Sequence, residues 1–331
     1  MYLMSYSISG RKSIIEKLSI GENVLFKFGK KQNIFEIGGV KIGGQPGELP
    51  TVLVGSIFHE GHKIVKDRSL GLFDKKEAER LINIQEEMSD KTGVPCMLDV
   101  VGENPKALIK YIEFVSNVTD SPFLMNGPSA SVRIEAANYV REVGLQERAI
   151  YNSINYTLND WEIGAIRETG LKAAIIQAFN PRNPHPDGMI QILKGDFKKK
   201  GLIDRALEAG INKPLIFMPV LDVPSIGFGA RGIYLAKEEF GMPTGTAPIG
   251  VVGQWSKVKG LREHARIACR AGALALAQSM GSNFIIYGSL ARAKSIFPVC
   301  AMIDAIIAYN ARNFGIKPLT RNHPLYKIFR P

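Results

Sequence analysis

One pattern repeats from Pro50 onward and limits what this chain can fold into: short β-branched or apolar runs alternate with stretches of helical periodicity. That alternation is the mark of βα units joined into a parallel sheet. The runs are Thr51 to Phe58, Pro95 to Val101, Pro122 to Asn126, Ala149 to Ile154, Ala173 to Phe179, Leu215 to Val220, a weak one over Thr244 to Ile249, and Phe284 to Gly288. The helical stretches are Lys75 to Lys91, Pro105 to Val118, Ser131 to Val143, Asp160 to Thr169, Leu202 to Ala209, Arg231 to Phe240, Leu261 to Met280 and Ala291 to Asn313. Several runs are apolar at every position, as strands are when helices cover one side and packed side chains fill the other. Eight units with no linker between them point to a closed (β/α)8 TIM barrel, an α/β fold. A doubly wound open sheet is the alternative. Ahead of the barrel, Asn33 to Gly44 holds two alternating runs around Gly38-Gly39, which reads as a hairpin with a two-residue turn, placed to plug the barrel floor. Residues 1–30 read as an N-terminal arm with one short helix capped by Ser13 and Glu16, and residues 31–331 as the barrel domain.

In a barrel the working residues lie at the carboxyl ends of the strands, where the βα loops build the open face. Those ends carry Asp99, then Asn126 with Ser129 just beyond, Asn152 with Ser153, Gln177 followed by Asn180, and Asp222 past the sixth run. Each polar group ends an apolar run, where leaving it unpaired would cost a few kcal/mol. Neutral amides with a few carboxylates can match the donors and acceptors of a flat nitrogen heterocycle, such as the lactam and amino-pyrimidine edge of a pterin. The competing reading is that these groups satisfy loop backbones, as Asn and Asp do in turns.

Other chemistries lack their residues. No strand end supplies a Lys for a Schiff base, and none pairs His with carboxylates as a catalytic zinc requires. His59 and His62, in the loop after the first run, read as polar loop contacts. Gly227-Phe228-Gly229-Ala230-Arg231-Gly232 fits G-x-G-x-x-G but follows the sixth run, with no ribose-reading acid on a next strand. A glycine-rich loop opening a helix there would hold an anionic tail through Gly229 and Arg231, or be a plain tight turn. Gly43 to Glu48 reads as a rigid turn, with Glu48 a lesser candidate for ligand contact.

Composition narrows the setting. Hydrophobic content of 45% with 22% charged residues suits a full globular core. The longest apolar stretches fall short of the roughly 20 residues of a membrane span, and the N-terminus lacks a secretory pattern, so a cytoplasmic protein is expected. Cys96, Cys269 and Cys300 are too far apart in sequence for a C-x-x-C pair. The net charge of +11 favours anionic partners. The only dense basic run, Lys198-Lys199-Lys200, has no interleaved aromatics, so an acidic protein or an anionic cofactor is expected in place of nucleic acid.

The stretches FEIGGVKIGGQPGELPTVLVGSIF, YIEFVSNVTDSPFL, AIYNSIN, IIYGSLARAKSIFPVCAMID and HPLYKIF closely resemble the H subunit of tetrahydromethanopterin S-methyltransferase, in order from about Phe28 to Phe329. The resemblance implies a homodimeric barrel that exchanges a methyl group between N5 of a tetrahydropterin, either tetrahydromethanopterin or tetrahydrofolate, and the cobalt of a corrinoid protein. In one direction N5 displaces Co(I) from methyl-Co(III). It also implies possible contact with subunits of a membrane complex. No corrinoid-binding D-x-H-x-x-G occurs in the chain, so the corrinoid is expected on a separate protein. By position, Asp99 matches the family's pterin-binding Asp and Asn152 its strand-four amide, the two residues assigned to catalysis, with Asn126 and Gln177 completing the hydrogen bonds. Two departures stand out. Asn126-Gly127-Pro128-Ser129 replaces the family's D-S-T-S, and Gly250 falls where an Asn is expected near the reactive nitrogen. They suggest a paralogue of the methanogenic subunit. A non-catalytic scaffold that docks corrinoid proteins and a synthase of the dihydropteroate type remain alternatives.

Overall fold

The structure is a computed structural model and describes residues 26–197 and 199–329. The capping pair expected at Ser13 and Glu16 lies outside the described residues, as does Lys198 of the basic triplet. Two strands, β1 (Ile34–Ile37) and β2 (Val40–Gly43), pair antiparallel. Gly38 and Gly39 between them both have positive φ, 49° and 80°, which a two-residue turn of this hand demands.

The first barrel strand is β3 (Val52–Ile57). Its loop carries a small antiparallel pair, β4 (Val65–Asp67) and β5 (Leu72–Phe73), too short to leave a pattern in the sequence. Then follow α1 (Lys75–Thr92), β6 (Cys96–Val101), α2 (Pro105–Val118), β7 (Phe123–Asn126), α3 (Ala130–Glu142), β8 (Ala149–Ile154), α4 (Asp160–Thr169) and β9 (Ala173–Gln177). Their ends obey local rules. Asp74, Asn104, Ser129 and Asn159 each accept a backbone N–H as N-cap of α1, α2, α3 and α4, and Gly93 and Gly170 close α1 and α4 in the left-handed region. The second half continues with α5 (Pro186–Lys194), α6 (Leu202–Glu208), β10 (Lys213–Met218), α7 (Ile226–Phe240), β11 (Thr244–Thr246), α8 (Pro248–Val258), α9 (Glu263–Ser279), β12 (Phe284–Ser289), α10 (Ala293–Ala311) and α11 (Pro324–Lys327).

Eight strands close in the order β3-β6-β7-β8-β9-β10-β11-β12 and back to β3. All eight pairings are parallel. The expected (β/α)8 barrel is therefore the observed fold, and the open sheet is set aside. Its interior is filled by Val52, Val54, Met97, Leu124, Ile150, Ala173, Ile175, Leu215 and Phe284, with Ile37 and Ile42 of the N-terminal hairpin packed into the same cluster. The hairpin thus plugs the amino-terminal end of the barrel. No helix among the described residues is long and apolar enough to cross a membrane.

Two local expectations are corrected, and one further helix went unread. The run Thr244 to Ile249 is a strand only over Thr244–Thr246, and the chain then enters α8, a helix not anticipated. The Thr-Gly-Thr strand is buried throughout, and a side chain at Gly245 would collide with the Phe284 carbonyl, so close approach excludes the apolar residues that mark other strands. Helix α7 begins at Ile226, which puts the G-x-G-x-x-G residues inside a helix and not in a loop. A Cβ at Gly232 would lie 2.9 Å from the Met218 sulfur, and one at Gly229 3.0 Å from Val220 Cγ2, so those glycines let the helix approach the sheet. Helix α5 was hidden by its short length and by the Pro181-to-Pro186 stretch before it.

Candidate active site

Strand periodicity builds the site. Side chains two residues apart share a face, so the interior positions run Val52, Val54, Ser56 on β3; Met97, Asp99 on β6; Leu124, Asn126 on β7; Ile150, Asn152 on β8; and Ala173, Ile175, Gln177 on β9. On each strand the layer nearest the carboxyl end turns polar. Register aligns that layer: Ser56 pairs with Asp99, and Asn126 with Asn152.

These groups meet at Asp99, which is 4% exposed. Ser56 Oγ donates to its Oδ2 at 2.8 Å, and Asn126 Nδ2 and Asn152 Nδ2 donate to its Oδ1 at 2.9 and 3.3 Å. Burial pushes the Asp99 carboxyl above its ordinary value, while the three donors and the nearby His59 pull it back without cancelling the shift. Since both amides direct their NH2 groups to Asp99, their Oδ1 carbonyls remain as acceptors. Gln177, Asn155 and Ser153 line the same cavity of about 400 Å³, and Ile175, Phe217 and Ile286 give it apolar wall.

Arg133 of α3 also reaches this cavity. It is 4% exposed, donates to the Gly127 carbonyl at 3.0 Å and to Glu162 at 3.0 Å, and lies over the Tyr151 ring. Tyr151 donates to the same Glu162 oxygen at 2.6 Å. Burial, and after it the Glu162 charge, pushes the Tyr151 hydroxyl up, out of its ordinary range, against the opposing charge of Arg133. Arg133 Nε has no partner among the described residues.

Of the residues singled out from sequence, Asp99, Asn126, Asn152, Ser153 and Gln177 are brought together. The rest are not. Ser129 caps α3. Asn180 holds its own loop, accepting from Arg182 N and donating to Gly188 O, and lines a neighbouring hollow. Asp222 is exposed and binds Ser225, its carboxyl lowered by those hydrogen bonds. Gly229 faces Val220 inside α7, and Arg231 lies exposed over Tyr234, beside a cleft lined by Phe28 and Met280. Gly250 is an exposed residue of α8; from that segment it is Ala247 that reaches the cavity. Glu48 accepts from Gln45 N in its turn. His59 and His62 stack at 4.6 Å; His62 Nδ1 accepts from Phe58 N, and burial, then the His59 charge, bring it down to about 4.

Sequence reasoning missed Ser56 and Arg133. The first had a signal, a hydroxyl near the carboxyl end of the mostly apolar run Thr51 to Phe58. The second had none, because a charged residue in an amphipathic helix reads as solvated.

The profile of the tetrahydromethanopterin S-methyltransferase MtrH subunit family matches residues 30–319. The chain belongs to this family. The tetrahydromethanopterin S-methyltransferase H subunit from Methanothermobacter thermautotrophicus is 41% identical over 310 residues, covering 92% of this chain and 100% of that protein. Its counterpart from Methanopyrus kandleri is 39% identical, covering 89% and 97%. The H subunit of a putative methyltransferase, mtx, from Methanosarcina mazei is 38% identical, covering 91% and 99%. Among solved structures, a dihydropteroate synthase from Coxiella burnetii in complex with pteroic acid superposes with a TM-score of 0.55 at 14% identity, covering 83% of this chain and 99% of that one. The Yersinia pestis dihydropteroate synthase gives 0.52 at 16% identity, covering 82% and 98%. At such identities the likeness is one of fold. Membership makes this MtrH-family barrel a pterin methyltransferase.

Proposed function

We propose that this MtrH-family chain transfers a methyl group between N5 of a tetrahydropterin and a corrinoid carried by another protein. The observation that carries the reading is the buried Asp99 at the barrel mouth, with Ser56, Asn126 and Asn152 all donating to it. A carboxylate offers about four acceptor positions, and three are filled from the protein, leaving one for an N–H of the ligand. The two amide carbonyls supply further acceptors for the amino and lactam N–H groups of a pterin, and Gln177 can both give and accept. The residues therefore fit a flat donor-rich heterocycle set against Ile175, Phe217 and Ile286. The match between family membership and this donor set favours transfer over a scaffold role.

The corrinoid supplies a methyl–metal bond that breaks heterolytically. This chain supplies no nucleophile; the N5 lone pair forms the new bond, and the protein orients it by holding the ring edge. In the opposite direction N5 leaves as an amine, so it must gain positive character, and a proton has to reach it through the cavity. Asp99 and Asn152 fix the ring; Asn126 and Gln177 complete its hydrogen bonds. A homodimer and docking to partner subunits belong to the same proposal. Titration calorimetry with tetrahydromethanopterin and tetrahydrofolate, followed by a methyl-transfer assay with methylcobalamin and with a corrinoid protein, tests it. Binding with transfer is expected. Absence of binding to either pterin would defeat the reading, and corrinoid-protein binding without transfer would support the scaffold alternative.

A further inference from the structure

Beside the cavity lies a set of arginines with too few counter-charges. Helix α8 is an extra helix between β11 and the barrel helix α9. Its N-cap residue Ala247 lines the cavity and makes no side-chain cap. Ile286, two residues before Gly288 on β12, lines it as well. Arg292, just past β12, has Nη1 only 2.7 Å from where a Cβ on Gly288 would sit. A Cβ on Gly253 of α8 would lie 3.6 Å from Arg270 Nη2 and 3.8 Å from Arg292 Nη2. Two guanidiniums from different elements thus converge on one glycine face, and the glycines make the room.

Their charges are poorly met. Arg270 is 8% exposed, and its Nε has no partner among the described residues. Its ion pair is with Glu263 at 3.4 Å, an exposed carboxylate that also pairs with Arg266. No ion pair is made by Arg292 among the described residues; it reaches the Tyr287 carbonyl at 3.4 Å. Burial, and next the charge of Arg270, depress the Arg292 guanidinium below its ordinary value. Two like charges held together out of water destabilise each other unless an anion joins them. Guanidinium forks match phosphate and carboxylate oxygens, and the loops after strands seven and eight, with an extra short helix, are where barrels hold such groups.

We propose that Arg270 and Arg292 form an anion subsite at the cavity rim that takes the phosphate or carboxylate on the tail of the pterin substrate. The subsite rests on the pterin reading for its ligand, and its position follows from Ala247 and Ile286 of the cavity wall: Ala247 caps α8, whose Gly253 both arginines approach, and Ile286 lies on β12, which leads into Arg292. With the ring at Asp99, the tail runs toward β11 and β12.

Calorimetry compares 6-methyltetrahydropterin, which has no anionic tail, with tetrahydromethanopterin and tetrahydrofolate on the wild-type chain and on Arg270→Gln and Arg292→Gln. At least one anionic-tailed compound should bind roughly tenfold or more tightly than the tail-less one, and each substitution should remove roughly that factor while leaving 6-methyltetrahydropterin unchanged. Equal affinities across all three proteins would overturn the subsite while leaving the pterin reading intact. If the wild type binds no pterin, that reading fails by itself, and inorganic phosphate decides the subsite: weaker binding to Arg292→Gln upholds it, and no difference ends it. Melting temperatures of both variants separate a lost ligand contact from a lost fold, Arg292→Gln being the milder because Arg292 is the less buried.

Discussion

Asp99→Asn separates what the site needs from what the fold needs. The structure predicts that the variant folds at least as well as the parent. An Asn at 99 keeps one carbonyl oxygen to accept from Asn126 and Asn152, and its NH2 can donate to the Ser56 hydroxyl, so all three present bonds have a replacement. The buried charge, meanwhile, disappears. Because burial raises the Asp99 carboxyl, the ionised form is a net cost to the folded state, and removing it should leave stability unchanged or higher. Ligand binding moves the other way. The acceptor position left open for the ligand is on Oδ2, which becomes an NH2 donor in the variant, so the ligand's N–H loses a hydrogen bond to a charged acceptor, about 1.5–3 kcal/mol, and pterin binding should weaken roughly 10- to 150-fold. Calorimetric affinity together with a thermal melt provides both readouts. The pH dependence carries the same opposition of signs. With a folded-state value above the unfolded one, stability falls as pH rises through the window from the ordinary carboxylate value to the raised one, while pterin affinity rises as the carboxylate ionises. Unchanged affinity in Asp99→Asn, or a parallel fall in affinity and stability, would refute the reasoning.

Three further outcomes follow from buried charge and helix geometry. Glu162→Gln removes the partner of Arg133 while preserving volume, leaving a guanidinium uncompensated in the interior; about 3 kcal/mol or more should be lost in urea unfolding, and a loss below about 1 kcal/mol would mean that water serves Arg133 instead. Asp304 lies under Thr51 and Gln278 with its carboxyl pushed up from 3.8 to about 6, chiefly by burial. Its folded value exceeds its unfolded one, so its contribution to stability should fall by about 3 kcal/mol as pH rises across that window and level off above it; a urea series should show a fall in the parent that is smaller by about that amount in Asp304→Asn. Gly250→Ala in α8 meets nothing within 4 Å and should stabilise by about 0.5–1 kcal/mol through helix propensity; a lowered melting temperature would contradict that helix.

The barrel was legible because most of its strands are apolar on both faces, and such runs stand out between helical periods. Where packing demanded something else, the signal vanished. At β11 the chain uses Thr244-Gly245-Thr246, since the Phe284 carbonyl leaves no space for a side chain at 245. The sequence accordingly reads as a weak strand that overruns into α8. The two glycines of α7 misled for a related reason. Gly229 and Gly232 satisfy a loop motif by spacing, yet they exist because Val220 and Met218 press against the helix. A glycine tells that something comes close without telling what.

The site divides along the same line. Asp99, Asn126, Asn152 and Gln177 were legible because a period of two, counted back from an apolar interior, carries each to the same polar layer. Asp222 obeys no such count, and its carboxylate turns to Ser225 in an exposed loop. Arg133, Arg270 and Arg292 were illegible for the opposite reason. A cation within or beside a helix looks like solvated surface in any one-dimensional reading, and only packing reveals that α3 places one at the cavity wall while α8 covers another. The amides proposed to orient the ring thus come from strands, whose alternation is written in the sequence. The buried charges around them come from the helices and loops, and their burial is decided by neighbours far along the chain.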